Sequence, residues 1–298
     1  MSDAPALPPA LPGENTSLPT EAAGAVSLYR GGPADGAPVV LVHSVNAAAS
    51  AYEMRPIYEG LVGRRAVHAL DLPGFGRSER GRRPYTPRLM TDALHAVVRD
   101  VRARHDGAPV DAAALSLSCE FLARAANERP EAFRSLALIS PTGLEGGKRR
   151  DGPEGSHLGK RWVHETVTCP LWDDLLFGLL TRPRVVRYFL RRTFGREAVD
   201  EGLWDYCVRS ARQPGAKHAP FSFLSGYLFS GDATRLYERL EHPTWLSHGV
   251  RGDFVDYRGA DALRERSHWR SSVFDTGALP HFEVPDAFVQ EYEAFLAG

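Results

Sequence analysis

The stretch VDAAALSLSCEFLARAANE, residues 110–128, joins a β-rich apolar run to an amphipathic helical one with no turn residues between them. Val110–Leu115 reads as a strand and Ser118–Glu128 as a helix, so Ser116 and Leu117 must carry the whole change of direction. A serine on so tight a strand-to-helix turn projects its hydroxyl over the sheet. It needs small residues two before and two after it, here Ala114 and Ser118, because larger ones would clash with the adjoining strand and helix. The N–H of Leu117 would then point at a developing oxyanion. The pentapeptide alone also suits a serine that merely caps a helix, so its surroundings must decide.

Working outward, strands and helices alternate. Strands are expected at Ala25–Arg30, Val39–His43, Arg65–Leu70, Ser135–Ser140, Thr244–His248 and Ser272–Asp275. Ser50 followed by Glu53 has the spacing of a capping box opening a helix to about Leu61. Thr86-Pro87 supplies an N-cap and an N1 proline to a helix whose Leu89, Ala93, Leu94, Val97 and Val101 share one face. A last helix covers Asp286–Leu296. This rhythm means an α/β fold with a mainly parallel sheet flanked by helices. Residues 145–232 break it with helical, aromatic-rich segments, read as an inserted helical cap over the strand ends, where open α/β sheets bind ligands. The α/β core is then residues 25–144 and 233–298. Residues 1–24, rich in Pro and Ala, read as a disordered tail without the apolar run of a secretory signal.

Composition limits the function. Lys+Arg number 36 against 37 Asp+Glu, a net charge of −1, which argues against a nucleic-acid partner. The same balance gives no reason to expect adhesion to an anionic membrane surface, and no apolar run is long enough to span a bilayer. Apolar residues make up 43% and charged residues 24%, the proportions of a globular chain with ample core. Cys119, Cys169 and Cys207 are widely spaced, which speaks against a disulfide framework or a cysteine-based zinc site. The expectation is a soluble, cytoplasmic protein acting on a small molecule.

Four further segments give the Ser116 turn its context. They are Val39–Ser44 (VVLVHS), Asp71–Ser78 (DLPGFGRS), Asn127–Ile139 (NERPEAFRSLALI) and the PHFEVPDAF run at 280–288. Together with the turn they resemble the α/β-hydrolase fold superfamily over roughly residues 25–298. The resemblance implies an eight-stranded-type sheet, a cap and a serine–acid–histidine site in that chain order. Ser116 is then the nucleophile, and the N–H groups of Val45 and Leu117 form the oxyanion hole. Asp253, in the loop after the seventh strand, is the expected acid, with Asp256 as second choice. His43 is read as a structural side chain of its loop, Asp71 as a turn former, and His248 as a buried, satisfied side chain. The serine at 44, where the family has glycine, is expected to tighten the loop. No cofactor and no metal are implied.

The histidine breaks the pattern. The family form Gly-His-x-Pro-His-x-Glu-x-Pro meets Gly277-Ala278-Leu279-Pro280-His281-Phe282-Glu283-Val284-Pro285, which puts Ala278 at the base position. A turn over 278–281 would bring residues i and i+3 within about 7 Å and let His281 swing in as the base. The expected activity is serine hydrolysis of an ester, amide or related carbonyl compound with an apolar or aromatic body, matching the aromatics of the cap. Carbon–carbon hydrolysis of a β-diketone is a lesser variant. The alternative is a hydrolase-fold protein without hydrolytic turnover, used for binding or non-hydrolytic chemistry. Six arginines between Arg182 and Arg196 read as a solvated helix face rather than an anion site.

Overall fold

The central strands are buried on both faces, and their alternate side chains feed two separate cores. Val40, Val42, Ala112, Ala114, Leu136 and Leu138 belong to one core, while Val39, Leu41, Ala113, Leu115, Ala137 and Ile139 belong to the other. Period-two alternation sends neighbouring residues to opposite faces, so a strand apolar at every position must be covered twice.

The computed structural model describes residues 5–298. Its strands are β1 (Glu14–Thr20), β2 (Gly24–Gly31), β3 (Pro38–Val42), β4 (Ala66–Leu70), β5 (Val110–Leu115), β6 (Phe133–Ile139), β7 (Thr244–Gly249) and β8 (Trp269–Phe274). They form one eight-stranded sheet in the order β1-β2-β4-β3-β5-β6-β7-β8. The β1–β2 and β2–β4 pairs are antiparallel and the others parallel. Helices α1 (Arg55–Leu61), α2 (Pro87–Arg104) and α3 (Ser118–Glu128) lie between successive core strands. Between β6 and β7 come α4 (Arg161–Val167), α5 (Asp173–Leu180), α6 (Pro183–Phe194), α7 (Glu201–Ala211), α8 (His218–Leu224) and α9 (Ala233–Glu238). The chain closes with α10 (Asp261–Arg264), α11 (Pro280–Glu283) and α12 (Pro285–Leu296). Thr86 caps α2 as expected, its hydroxyl accepting from Leu89 N–H at 3.3 Å.

Two expectations are corrected. The tail over 1–24 is ordered through all of its described part: β1 occupies Glu14–Thr20, and Leu7, Ala10 and Leu11 are buried. Proline has no N–H to satisfy but keeps its carbonyl. The carbonyls of Pro8 and Pro12 accordingly accept from Tyr206 and Tyr58, each at 2.8 Å, and that of Leu7 from Arg77 at 2.6 Å. The capping box also fails. Ser50 makes no side-chain cap, and the Glu53 carboxylate is occupied elsewhere.

Asp71, closing β4, carries the turn that follows. Its carboxylate accepts from Tyr29 hydroxyl at 2.9 Å, Ala51 N–H at 2.7 Å and Arg77 N–H at 2.8 Å. Gly76 has φ +50°, and a Cβ there would lie 2.0 Å from that carboxylate, so only glycine fits. Asp71→Ala leaves three donors unpaired, two of them buried, and should lower the unfolding free energy by about 3 kcal/mol, read by urea denaturation; a loss under about 1 kcal/mol would show that the turn does not depend on them.

Candidate active site

Ser116 continues the β5–β6 ladder by donating its N–H to Ile139 O at 2.8 Å, then turns at φ +58°. That left-handed backbone is costly for a residue with a Cβ and is sustained only where surrounding structure imposes it. The capping alternative therefore fails: Leu117, not Ser116, is the N-cap of α3, and the Ser116 hydroxyl caps nothing. Ala114 and Ser118 are both fully buried at the turn. Ser118 adds a bond that a glycine could not make, donating its hydroxyl to His43 O. Cys119 packs beneath, its thiol on Ala114 O at 3.1 Å.

The loop after β3 approaches from the other side and is built around Glu53. This buried carboxylate accepts from Ser44 N–H at 2.8 Å and from the Asn46 side-chain amide at 2.7 Å, while Asn46 Oδ1 takes Ala48 N–H at 2.8 Å. Leu72 N–H donates to His43 Nε2 at 2.9 Å, so His43 carries its proton on Nδ1 and donates to Ser44 O at 2.6 Å. His43 is thus structural. Ser44 replaces glycine without strain because its φ is not positive. Val45 lies between these anchors. Among the described residues, neither Val45 N–H nor Leu117 N–H has a protein acceptor, the condition an oxyanion hole requires.

The expected acid and base are placed elsewhere. Asp253 is paired with Arg192 of α6, and Asp256 with Arg258 at 2.8 Å. Residues 280–283 form the helical turn α11 instead of the looser turn that would carry His281 toward Ser116. His281 is fully buried between Phe282 and Phe288 and donates Nε2–H to Glu53 O at 2.8 Å. Burial pushes its pKa down to about 4. It acts on the site only through Glu53, as a support of the Ser44–Asn46 loop. Among the described residues, no histidine nitrogen hydrogen-bonds to Ser116 or Asp253. His248 donates to Gly249 O, accepts from Arg264 and stacks on Tyr257, satisfied as expected.

The segment at the base position is pinned on every side. Ala278 N–H donates to Thr193 O of α6 at 2.8 Å, and Ala278 O accepts from the Ser140 hydroxyl at 2.8 Å. Gly277 N–H donates to Glu283 at 2.6 Å, and Glu283 also holds Arg251 and Arg196. Arg251 is therefore a loop latch. Ser140 has φ +47°, so a second strained serine closes β6 beside the one that closes β5. The sequence read Ser140 as a strand end and Glu53 as part of a capping box, and missed the role of each. Local spacing could not give these roles, because each is defined by its partners across the fold.

Arg187, Arg191, Arg192 and Arg196 form ion pairs with Glu201, Glu197, Asp253 and Glu283. Phe177, Tyr206 and Phe221 are buried inside the insertion, while Trp162 and Tyr188 are exposed. A cavity of about 800 Å³ opens between α1, α12 and the start of α7, with Tyr52, Arg55, Asp200 and Glu293 on its walls. Ser116 does not line it. Among the described residues, no group of three His, Cys, Asp or Glu side chains could hold a metal ion.

A strand–serine–helix turn at the end of a central parallel strand, faced by two free N–H groups, defines a class of catalytic α/β scaffold. The chain belongs to the alpha/beta hydrolase family, whose model matches residues 39–291. It is similar in structure to a probable hydrolytic enzyme from Pseudomonas aeruginosa, at TM-score 0.73 and 18% identity, over 95% of this chain and 94% of that one. It is also similar to a bacterial membrane phospholipase A, at TM-score 0.71 and 21% identity, over 96% and 86% of the two chains. A third similarity is to a carboxylesterase from Bacillus subtilis, at TM-score 0.70 and 17% identity, over 96% and 92%. No curated protein matches the sequence.

His281 also sets an acid limit. Its folded pKa lies below the ordinary 6.5, so its contribution to stability is complete above pH 6.5 and is lost as the pH falls toward about 4. At about 1.4 kcal/mol per unit the loss is about 3 kcal/mol. His281→Gln places an amide donor where Nε2 donates to Glu53 O and should flatten the fall in unfolding free energy between pH 6.5 and 4, measured by denaturant titration at each pH. An unchanged slope would mean that other groups set it.

Proposed function

We propose that the protein is a hydrolase that forms an acyl-enzyme on Ser116 from an activated ester with an apolar or aromatic acyl body. The observation that carries this reading is the left-handed Ser116 flanked by the unpartnered N–H groups of Val45 and Leu117. Ser116 Oγ adds to the carbonyl carbon, and the two N–H groups take up the negative charge on oxygen. The carbon–oxygen bond to the leaving group breaks, the leaving group departs as an anion, and the serine proton passes to water. A second water then cleaves the acyl-enzyme and restores the hydroxyl. The helical insertion serves as the cap, and its uncommitted aromatics favour the apolar body.

With His281 held by Glu53 and Asp253 by Arg192, no imidazole shares the proton transfer. General-base catalysis contributes about 10²–10⁴-fold, and an oxyanion hole with binding alone leaves roughly 10³–10⁴-fold over water. The favoured substrates are therefore esters whose leaving group departs without a proton, aryl esters above all. The absent imidazole also keeps a second reading in view, in which the scaffold binds a carbonyl compound without turning it over.

Incubation with a p-nitrophenyl acyl ester should release p-nitrophenol in a burst, followed by slow turnover. Mass spectrometry should find the acyl group on Ser116, with no adduct in Ser116→Ala. Ala278→His should raise kcat/KM by about 10²–10⁴-fold. Absence of any Ser116 adduct from both the ester and a fluorophosphonate would sink the acyl-enzyme and leave the binding reading.

A further inference from the structure

Helix α5, Asp173–Leu180, reads DDLLFGLL and is apolar around most of its circumference. Such a helix belongs in a core. Here only Phe177 is buried; Leu175 is 66% exposed and Leu179 40%. Leu171, in the corner before α5, is 87% exposed, and Trp162 on α4 is 69% exposed. Helix α4 has no buried residue at all. The corner between the two helices is nonetheless built, because Trp172 Nε1 donates to Thr166 O at 2.9 Å. The exposure therefore belongs to a defined corner, and Leu171, Leu175 and Leu179, spaced four apart, share one face that calls for a cover.

The charges around it select the cover. Of the seven Lys or Arg between Leu158 and Arg192, Arg161, Arg187, Arg191 and Arg192 pair with carboxylates, and Asp173 and Asp174 pair with Lys217. Lys160 and Arg161 precede Trp162, and Arg182 and Arg184 follow Leu179 within five residues. Lys160, Arg182 and Arg184 make no ion pair among the described residues. Two copies meeting through this face would bring their unpaired basic side chains together, which opposes a dimer there. An anionic lipid surface supplies the opposite charge and an apolar layer beneath it, and tryptophan is suited to the boundary between the two.

We propose that the α4–α5 face, with Trp162, Leu171, Leu175 and Leu179 as its apolar contacts and Lys160, Arg182 and Arg184 at its rim, docks the protein on an anionic phospholipid surface. The protein lies on the membrane and does not span it, as none of the described helices is long and apolar enough to cross. The proposal stands apart from the chemistry at Ser116. It amends the expectation drawn from net charge, because the total conceals where the charges sit.

The full chain should co-float with phosphatidylserine/phosphatidylcholine vesicles, lose binding as salt is raised, and show blue-shifted tryptophan emission. Leu171→Gln with Leu175→Gln should weaken partitioning by at least about ten-fold. Arg182→Glu with Arg184→Glu should do so by about ten-fold or more on the phosphatidylserine vesicles. All four side chains face solvent, and near-UV circular dichroism checks that each variant folds. Failure of the wild-type chain to float, equal binding to pure phosphatidylcholine, or unchanged binding of both variants overturns the proposal. So does a dimer by light scattering that the leucine changes dissociate, which would make a second copy the cover.

Discussion

Everything at the candidate site depends on holding Ser116 in a left-handed conformation at the end of β5. A β-carbon-bearing residue adopts φ +58° only if the strand before it and the helix after it are both fixed. The alanine run Ala112–Ala114 lets α3 lie close to the sheet, and the Ile139 carbonyl holds Ser116 N–H as though the strand continued. Ser118 then ties the start of α3 to the carbonyl of His43. The elbow and the opposing loop are therefore joined by a direct bond and cannot drift apart independently.

The opposing loop has its own support, and a buried carboxylate supplies it. Glu53 takes Ser44 N–H and the Asn46 amide, and offers its own carbonyl to His281. It also fixes the direction of Val45 N–H without using that donor. His281, expected as the base, supports this loop instead, and the backbone of Ala278 is held between Thr193 and Ser140.

Arginine does two jobs in the helical insertion. Arg187, Arg192 and Arg196 fasten α6 to α7, to the loop after β7 and to the segment before α12. Arg182 and Arg184 border exposed leucines instead. A single reading of the arginine-rich stretch as a solvated face could not separate these roles, because the partners Glu201, Asp253 and Glu283 lie far along the chain.

The chain by itself determined whatever local spacing controls. The parallel sheet, the serine elbow, the Asp71 turn and the Thr86 cap were all legible, because each depends on residues a few positions apart. Whatever depends on distant partners was not. Ser50 and Glu53 have the spacing of a capping box, yet a loop nine residues upstream takes the carboxylate. The Pro-rich first residues look like a free tail, yet tyrosine and arginine donors bind their carbonyls. His281 lies within reach of the site along the chain, yet its ring is committed to a carbonyl 228 positions away. Competition for hydrogen-bond partners is settled only after the chain has packed, and that competition assigned each of these residues its role.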